Sequence, residues 1–415
     1  MLRGSRPFFA FSLTLTLLSV ALLSWKGFPA FIAGHSSLKE ALELMPYILL
    51  GVLAFLGLRM HQSRILFTAA LLMLVFTLLA VPGSLPGLWG KQLGASRPFF
   101  IAVAIPLSFL ILTFLKQGKL WSRFGAFFLC ATLTPLLVEW ALTKWAPGFT
   151  RKYVLGQAIH WPRAWNWRIP DFAFLLAIGF GLSSFTLKDR YFRHFQYATL
   201  FSLVPFFLLL NRATIGTGDA ALAFSGIGWI LLYGMYHLYW SKVYIDELTG
   251  IPNRRALDER LSQLDKNYWI AMCDIDFFKK FNDRFGHEEG DNVLRFVAAH
   301  LDLETFSHAY RYGGEEFCIV FEDLPADEAL KIFDSARKNL AAKDFFIREP
   351  QRKQKSAKDR KATSEAKMQT VKVTLSIGAA TQSSRNTTPD LVIQAADRLL
   401  YRAKDGGRNQ VVAEA

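Results

Sequence analysis

The sequence predicts an α-helical membrane domain followed by an α+β domain. Two observations divide it this way. The 415 residues are 52% hydrophobic with a mean hydropathy of +0.22, and the apolar excess lies in blocks that end near Trp240. Beyond that point charged residues return at ordinary density, and strand-period and helix-period segments alternate. The expected organisation is a membrane domain over 1–240, a short helical linker over 241–252, and an α+β domain over 246–415 that carries a basic insertion at about 348–370.

Eight blocks are candidate spans, each near the length a bilayer requires. They are Phe8–Trp25, Met45–Leu58, Ile65–Val81, Phe99–Leu115, Phe124–Leu142, Asp171–Phe185, Tyr197–Leu210 and Ala220–Trp240. No small-residue cleavage site closes the first block, so it reads as a retained helix. Short basic connections alternate with longer ones. Arg3 and Arg6, Arg59 and Arg64, Lys116, Lys119 and Arg123, Lys188, Arg190 and Arg193, and Lys242 all fall on one side if eight spans are right. The positive-inside rule makes that side cytoplasmic and puts both termini there. The longer connection from Thr143 to Pro170 carries Trp145, Trp161, Trp165 and Trp167, the composition of an interfacial belt. Glu139, inside the fifth block, is an intramembrane acid and a candidate site by its cost alone.

The net charge of +14 has its source in these loops and in the basic stretch near Arg348–Lys372. No recognition motif accompanies it, which sets aside nucleic-acid binding. Few intramembrane charges and no internal repeat set aside a transporter. Cys130, Cys273 and Cys318 match no disulfide or zinc spacing. A reduced cytoplasmic compartment fits the second half.

The last span continues almost without a break into "YWSKVYIDELTGIPNRRAL". A helix should run from Tyr239 to about Ile245, Gly250 and Pro252 should end it, and Asn253 should cap the next. The order that follows is helix, strand, helix, hairpin, helix, strand, helix, strand. "YWIAMCDID" (Tyr268–Asp276) is an apolar strand that meets acids at its end. Asp291–Leu301 is helical, with Asp291 as its cap. "AYRYGGEEFCIVF" is a hairpin, Val371–Thr381 a strand, and "TPDLVIQAADRLLYRAK" an amphipathic helix.

If the hairpin pairs beside the strand, Asp274 and Asp276 converge with Glu315 and Glu316 on one sheet edge. Clustered carboxylate oxygens at a strand end suit Mg²⁺, with phosphate oxygens completing its shell. The helix start after Asp276, with Lys279, suits phosphate. In "RAKDGGRN", Lys404 and Arg408 could hold the outer phosphates of a triphosphate.

In these segments the chain resembles the GGDEF family of diguanylate cyclases. The pieces that carry the resemblance are "DELTGIPNRRAL", "DIDFFKKFNDRFGHEEGDNVL", "RYGGEEF", "LSIGAA" and "ADRLLYRAKDGGRN", in that order from about Asp246 onward. The resemblance implies a palm-like, nucleotide-cyclase-like sheet. It implies two GTP molecules, one in each of two facing domains of a homodimer, joined into cyclic di-GMP with release of pyrophosphate. Asp274 and Glu315 would bind metal with the backbone carbonyl of Ile275, two Mg²⁺ (or Mn²⁺) per site. Glu316 would sit at the metal site and help deprotonate the ribose 3′-hydroxyl. Asn282 and Asp291 would read guanine. The Phe277 and Phe278 amides, Lys279, Lys404 and Arg408 would contact phosphate, and Gly313 and Gly314 would let the nucleotide approach.

The chain departs from the family pattern twice. Glu304 and Ser307 stand where the family's product-inhibition site has arginine and aspartate, so feedback through that site is not expected. The polar, basic segment "REPQRKQKSAKDRKATSEAKMQ" reads as a solvated insertion near the bilayer, able to contact anionic lipid. The expectation is therefore a multi-pass protein of the bacterial inner membrane with a cytoplasmic cyclase domain. The alternative is a catalytically silent GTP-binding receptor or scaffold.

Overall fold

The apolar blocks form helices. The computed structural model describes residues 6–25, 27–80, 97–114, 169–183, 192–212, 215–265, 267–301, 308–348 and 368–414, with isolated positions at 134, 138, 141, 145 and 146. The chain divides into two units, Met1–Tyr239 and Trp240–Ala415.

The first unit contains α1 (Arg6–Ser24), α2 (Phe28–Ala33), α3 (Ser36–Arg59), α4 (Ser63–Ala80), α5 (Arg97–Phe114), α6 (Asp171–Ser183), α7 (Phe192–Leu210) and most of α8 (Thr217–Tyr244). Seven of the eight expected spans fall on these helices; most of the fifth, Phe124–Leu142, lies outside the described residues. Among the described residues, α3, α4 and α8 are long and apolar enough to cross a membrane. Helix α3 starts well before the expected Met45, because Ser36–Leu44 is polar enough to fall below a hydropathy threshold yet rich in helix-forming Leu, Lys, Glu and Ala. Helix α8 runs on to Tyr244, as the sequence suggested.

Leu50, Leu53, Ile65, Phe76, Phe206 and Phe224 are buried in the core of this unit. Ile48, Val52 and Phe55 of α3 instead point outward, a surface that apolar surroundings would cover. Polar side chains between helices pair with one another: Gln196 Nε2 donates to Thr113 Oγ1 at 2.9 Å, and Thr217 Oγ1 to Glu43 Oε1 at 2.9 Å. Such pairs matter where water is absent. Trp145 is exposed. Cys130, Glu139, Trp161, Trp165 and Trp167 lie outside the described residues.

In the second unit Asn253 caps α9 (Arg254–Leu261), its Oδ1 accepting from the Ala256 amide at 3.2 Å. There follow β1 (Tyr268–Ile275), α10 (Phe278–Phe285), α11 (His287–Leu301), β2 (His308–Gly313), β3 (Glu316–Glu322) and α12 (Ala326–Ala342). The chain ends with β4 (Asp344–Arg348), β5 (Met368–Lys372), β6 (Leu375–Thr381), α13 (Pro389–Asp405) and β7 (Val411–Glu414). The main sheet has the order β2-β3-β1-β6-β7, antiparallel except for the β6–β7 pair. Alternate residues of β1 enter two cores. Trp269, Ala271, Cys273 and Ile275 pack with α11 and α12; Tyr268, Ile270 and Met272 pack with α9 and α13. This is the expected α+β arrangement. Cys273 and Cys318 are free and buried.

Two expectations are corrected. Val371–Thr381 is not one strand. Its first part belongs to β5, which pairs with β4 in a separate ribbon, and the chain steps at Val373–Thr374 into β6 of the main sheet. The alternation of side chains continues across the step, so periodicity alone could not reveal it. Asp291 is not a cap: α11 begins at His287, directly after Gly286, whose φ of +88° ends α10. Glu288 and Glu289 occupy the first turn instead, where carboxylates favour the helix dipole. Residues 349–367 of the insertion, and Glu304 and Ser307, lie outside the described residues.

Candidate active site at the tip of the central hairpin

Hairpin β2–β3 pairs beside β1, as the sequence required for the acids to meet. Asp274 lies directly opposite Glu316, and Gly313 opposite Glu316 on the other side. Side-chain alternation places Asp274 and Glu316 on the α13 face, in step with Met272 and Cys318. Like charges directly opposed across a ladder are destabilising. The electrostatics register that cost. Burial, then the Asp274 charge, pushes the Glu315 and Glu316 carboxyls above the usual carboxylate range. Burial raises Asp274 as well, against the pull of Lys404, whose Nζ lies 2.9 Å from Asp274 Oδ2 at the end of α13.

These oxygens suit a hard cation, yet among the described residues no three acidic, His or Cys groups form a cage for one. A Mg²⁺ ion held here by one or two carboxylates would need other ligands from outside the protein. Ile275, whose carbonyl the resemblance assigns to the metal, ends β1 and is buried.

Asp276 behaves differently from its neighbour. It accepts from Thr374 Oγ1 at 2.7 Å, Ser376 Oγ at 2.6 Å and the Asn409 amide at 3.0 Å, and it is almost fully buried. It still stands near the acidic edge and adds to the rise that burial gives the Asp274 carboxyl, but its oxygens are taken up in tying the end of β1 to β6 and to the turn after α13.

The tip itself is open. A Cβ placed on Gly313 or Gly314 would meet no protein atom within 4 Å. Gly314 has a φ of +41°, which glycine adopts freely. Packing therefore does not explain Gly313; free space above it does.

Where the resemblance expects phosphate, α10 starts without a side-chain cap after Phe277, which leaves its first N–H groups to other acceptors. Lys279 is exposed in the first turn. Arg408 sits with its Cζ 4.5 Å from the centre of the Phe277 ring and also acts on the Asp274 charge. Where the resemblance expects guanine, Asn282 lies against Gly290, where any side chain would collide with its amide. Asn282 Oδ1 is buried and lacks a hydrogen-bond partner. Asp291, the next residue after Gly290, is half-buried on the same helix.

Sequence reasoning missed Arg311. Its guanidinium donates to both Asp246 oxygens, at 2.9 and 3.1 Å, and to the Gly314 carbonyl at 2.9 Å. Its amide donates to the Pro252 carbonyl at 2.8 Å. Asn253 Nδ2 donates to the Val243 carbonyl at 2.8 Å. The segment after α8 is thus tied to the hairpin tip by side chains on both. The only signal in the sequence was a cation two residues before the glycine pair. Thr374, Ser376 and Asn409 were missed for the same reason: their partner lies far away in the chain.

With this geometry in hand, the comparisons fall into place. A family model described as "Diguanylate cyclase, GGDEF domain" matches residues 243–357 and 347–410. The C-terminal part of the chain is a GGDEF domain, and its mixed sheet is the nucleotide-cyclase-like one. The response regulator PleD of Caulobacter vibrioides is 34% identical over 179 residues, 41% of this chain and 36% of that protein. The diguanylate cyclase DgcP of Pseudomonas aeruginosa is 32% identical over 179 residues, 41% of this chain and 24% of that protein. The chain thus spans about a third or less of the length of these relatives. A crystal structure of the coiled coil and GGDEF domain of DgcB from Caulobacter crescentus, in complex with c-di-GMP, is 27% identical. It covers 44% of this chain and 92% of that one, with a TM-score of 0.37.

Proposed function

We propose that this protein is a membrane-bound diguanylate cyclase that condenses two GTP into cyclic di-GMP and pyrophosphate. The observation that carries the reading is the convergence of Asp274, Glu315 and Glu316 under an open glycine tip. Burial and then the charges of neighbouring acids push their carboxyls up, a cost that a bound cation would relieve. The buried, unpartnered Asn282 Oδ1 supports a base site beside it, since the guanine edge offers N–H donors.

Asp274, Glu315 and the Ile275 carbonyl would hold Mg²⁺ (or Mn²⁺), two ions per site. When bound, the metal neutralises triphosphate charge and acidifies a hydroxyl. Glu316, also at the metal site, takes the proton of the ribose 3′-hydroxyl as general base. Lys404, Arg408, Lys279 and the Phe277 and Phe278 amides hold the phosphates; Asn282 and Asp291 hold guanine. Each domain carries one nucleotide, so two domains of a homodimer must face one another. The basic connections support, by the positive-inside rule, a bacterial inner-membrane protein with its C-terminal domain and both termini on the cytoplasmic side.

The test supplies GTP and Mg²⁺ to the full chain in lipid nanodiscs and measures cyclic di-GMP chromatographically. Product formation is expected. GTP binding without product would replace this reading with a silent GTP-binding receptor or scaffold.

A further inference from the structure

Of the five described non-glycine residues of the second unit with left-handed backbone, three, Phe277, Arg408 and Asn409, meet at one corner, at φ of +57°, +64° and +44°. Left-handed backbone disfavours any residue with a side chain. Phe277 also exposes 53% of its surface, an unusual cost for a phenylalanine that contributes to no core. Two cations lie over its ring: Arg408 with Cζ 4.5 Å from the centroid and Lys280 with Nζ at 5.1 Å. The turn that carries Arg408 is fixed from below. The Asn409 amide donates to Asp276, and Arg337 Nη1 donates to the Asn409 carbonyl and Oδ1, both at 2.9 Å. The Arg408 amide donates to the Ala403 carbonyl at 3.0 Å, closing α13.

We infer that Phe277 is a positioning residue whose ring seats the Arg408 guanidinium at the phosphate end of the site, while the adjacent Asp276 fixes the backbone of the same turn. Arg408 acts on the Asp274 charge, but the direct ion pair of Asp274 is with Lys404, so the guanidinium held over the ring keeps its N–H groups for an incoming anion. A long side chain placed in advance loses less freedom on binding. This inference rests on the proposed triphosphate site and adds to it a source of affinity in a side chain otherwise valued only for its amide.

The experiment measures binding of three probes to the full chain in nanodiscs, with Ca²⁺ replacing Mg²⁺: GTP, inorganic tripolyphosphate and GMP. Phe277→Leu is expected to weaken GTP and tripolyphosphate roughly three- to tenfold and to leave GMP within twofold. Leucine keeps the amide and the same left-handed cost, and the half-exposed ring can be removed without opening the core. Phe277→Tyr is expected to recover most of the loss. In an Arg408→Ala background, Phe277→Leu should add nothing. Equal weakening of GTP and GMP, or an undiminished effect without Arg408, would overturn the inference. Normal GTP binding that ignores Phe277 sinks the seat but keeps the GTP site. Tripolyphosphate binding that depends on Phe277 in a chain indifferent to guanine keeps the seat and sinks the GTP reading. Binding of no probe sinks both.

Discussion

Asp274 and Asp276 stand two residues apart on the same sheet face and live under opposite conditions. Asp276 has three donors for its oxygens and knits three segments together. Asp274 has one, Lys404, and its charge acts on Glu315 and Glu316. A saturated carboxylate holds a fold, whereas an undersupplied one holds charge that only a ligand relieves. The contrast separates roles that a D-x-D motif merges.

The largest effect should come from the undersupplied side. Glu316→Gln is expected to lower the rate of cyclic di-GMP formation by roughly 10²–10⁴-fold while GTP binding is largely kept. Stability should hold or rise slightly, because a like-charge pair disappears. Retained turnover would move the base elsewhere, for example to a metal-bound water.

Asp276→Ala should act on the fold instead. Losing an ionised acceptor for three donors should cost about 3 kcal/mol, read by chemical denaturation of the C-terminal unit. Asp274→Asn should cost under about 1 kcal/mol, since its single ion pair is partly solvated. Equal losses at the two positions would erase the distinction drawn between them.

A smaller effect is expected at Asp246. Burial pushes its carboxyl up, but hydrogen bonds from Thr249 and the Arg311 guanidinium outweigh burial and hold it below the usual range. A depressed pKa adds stability that is present above the unfolded value near about 3.9 and is lost as pH falls through the folded value. Asp246→Asn should therefore cost about 1 kcal/mol at neutral pH, with the deficit vanishing in acid. A deficit independent of pH would mean that Arg311 is held by geometry rather than charge.

The acids, the glycine pair and the two C-terminal cations were legible because each is a residue type tied to a chemistry, placed at the end of an element whose period can be counted. Their meeting followed from one assumption, that the hairpin pairs beside β1, and the register of Asp274 with Glu316 supports it. What could not be read were partners fixed by topology. Nothing local says that Thr374 and Ser376 will spend their hydroxyls on Asp276, or that Gly290 exists to admit the Asn282 amide. The apparent cap at Asp291 misled because the glycine that ends α10 lies one turn earlier. In the membrane unit hydropathy located helices but not their ends, since polar first turns such as Ser36–Leu44 fold as helix all the same.

The β4–β5 ribbon has a practical consequence. It lies outside the five-stranded sheet, and its last pair, Arg348 opposite Met368, clamps the two chain ends whatever runs between them. Lengthening a closed loop costs only about 0.6 kcal/mol per doubling. The ribbon is therefore a docking port for foreign sequence. A fluorescent domain spliced between those ends would ride on the protein without entering its core.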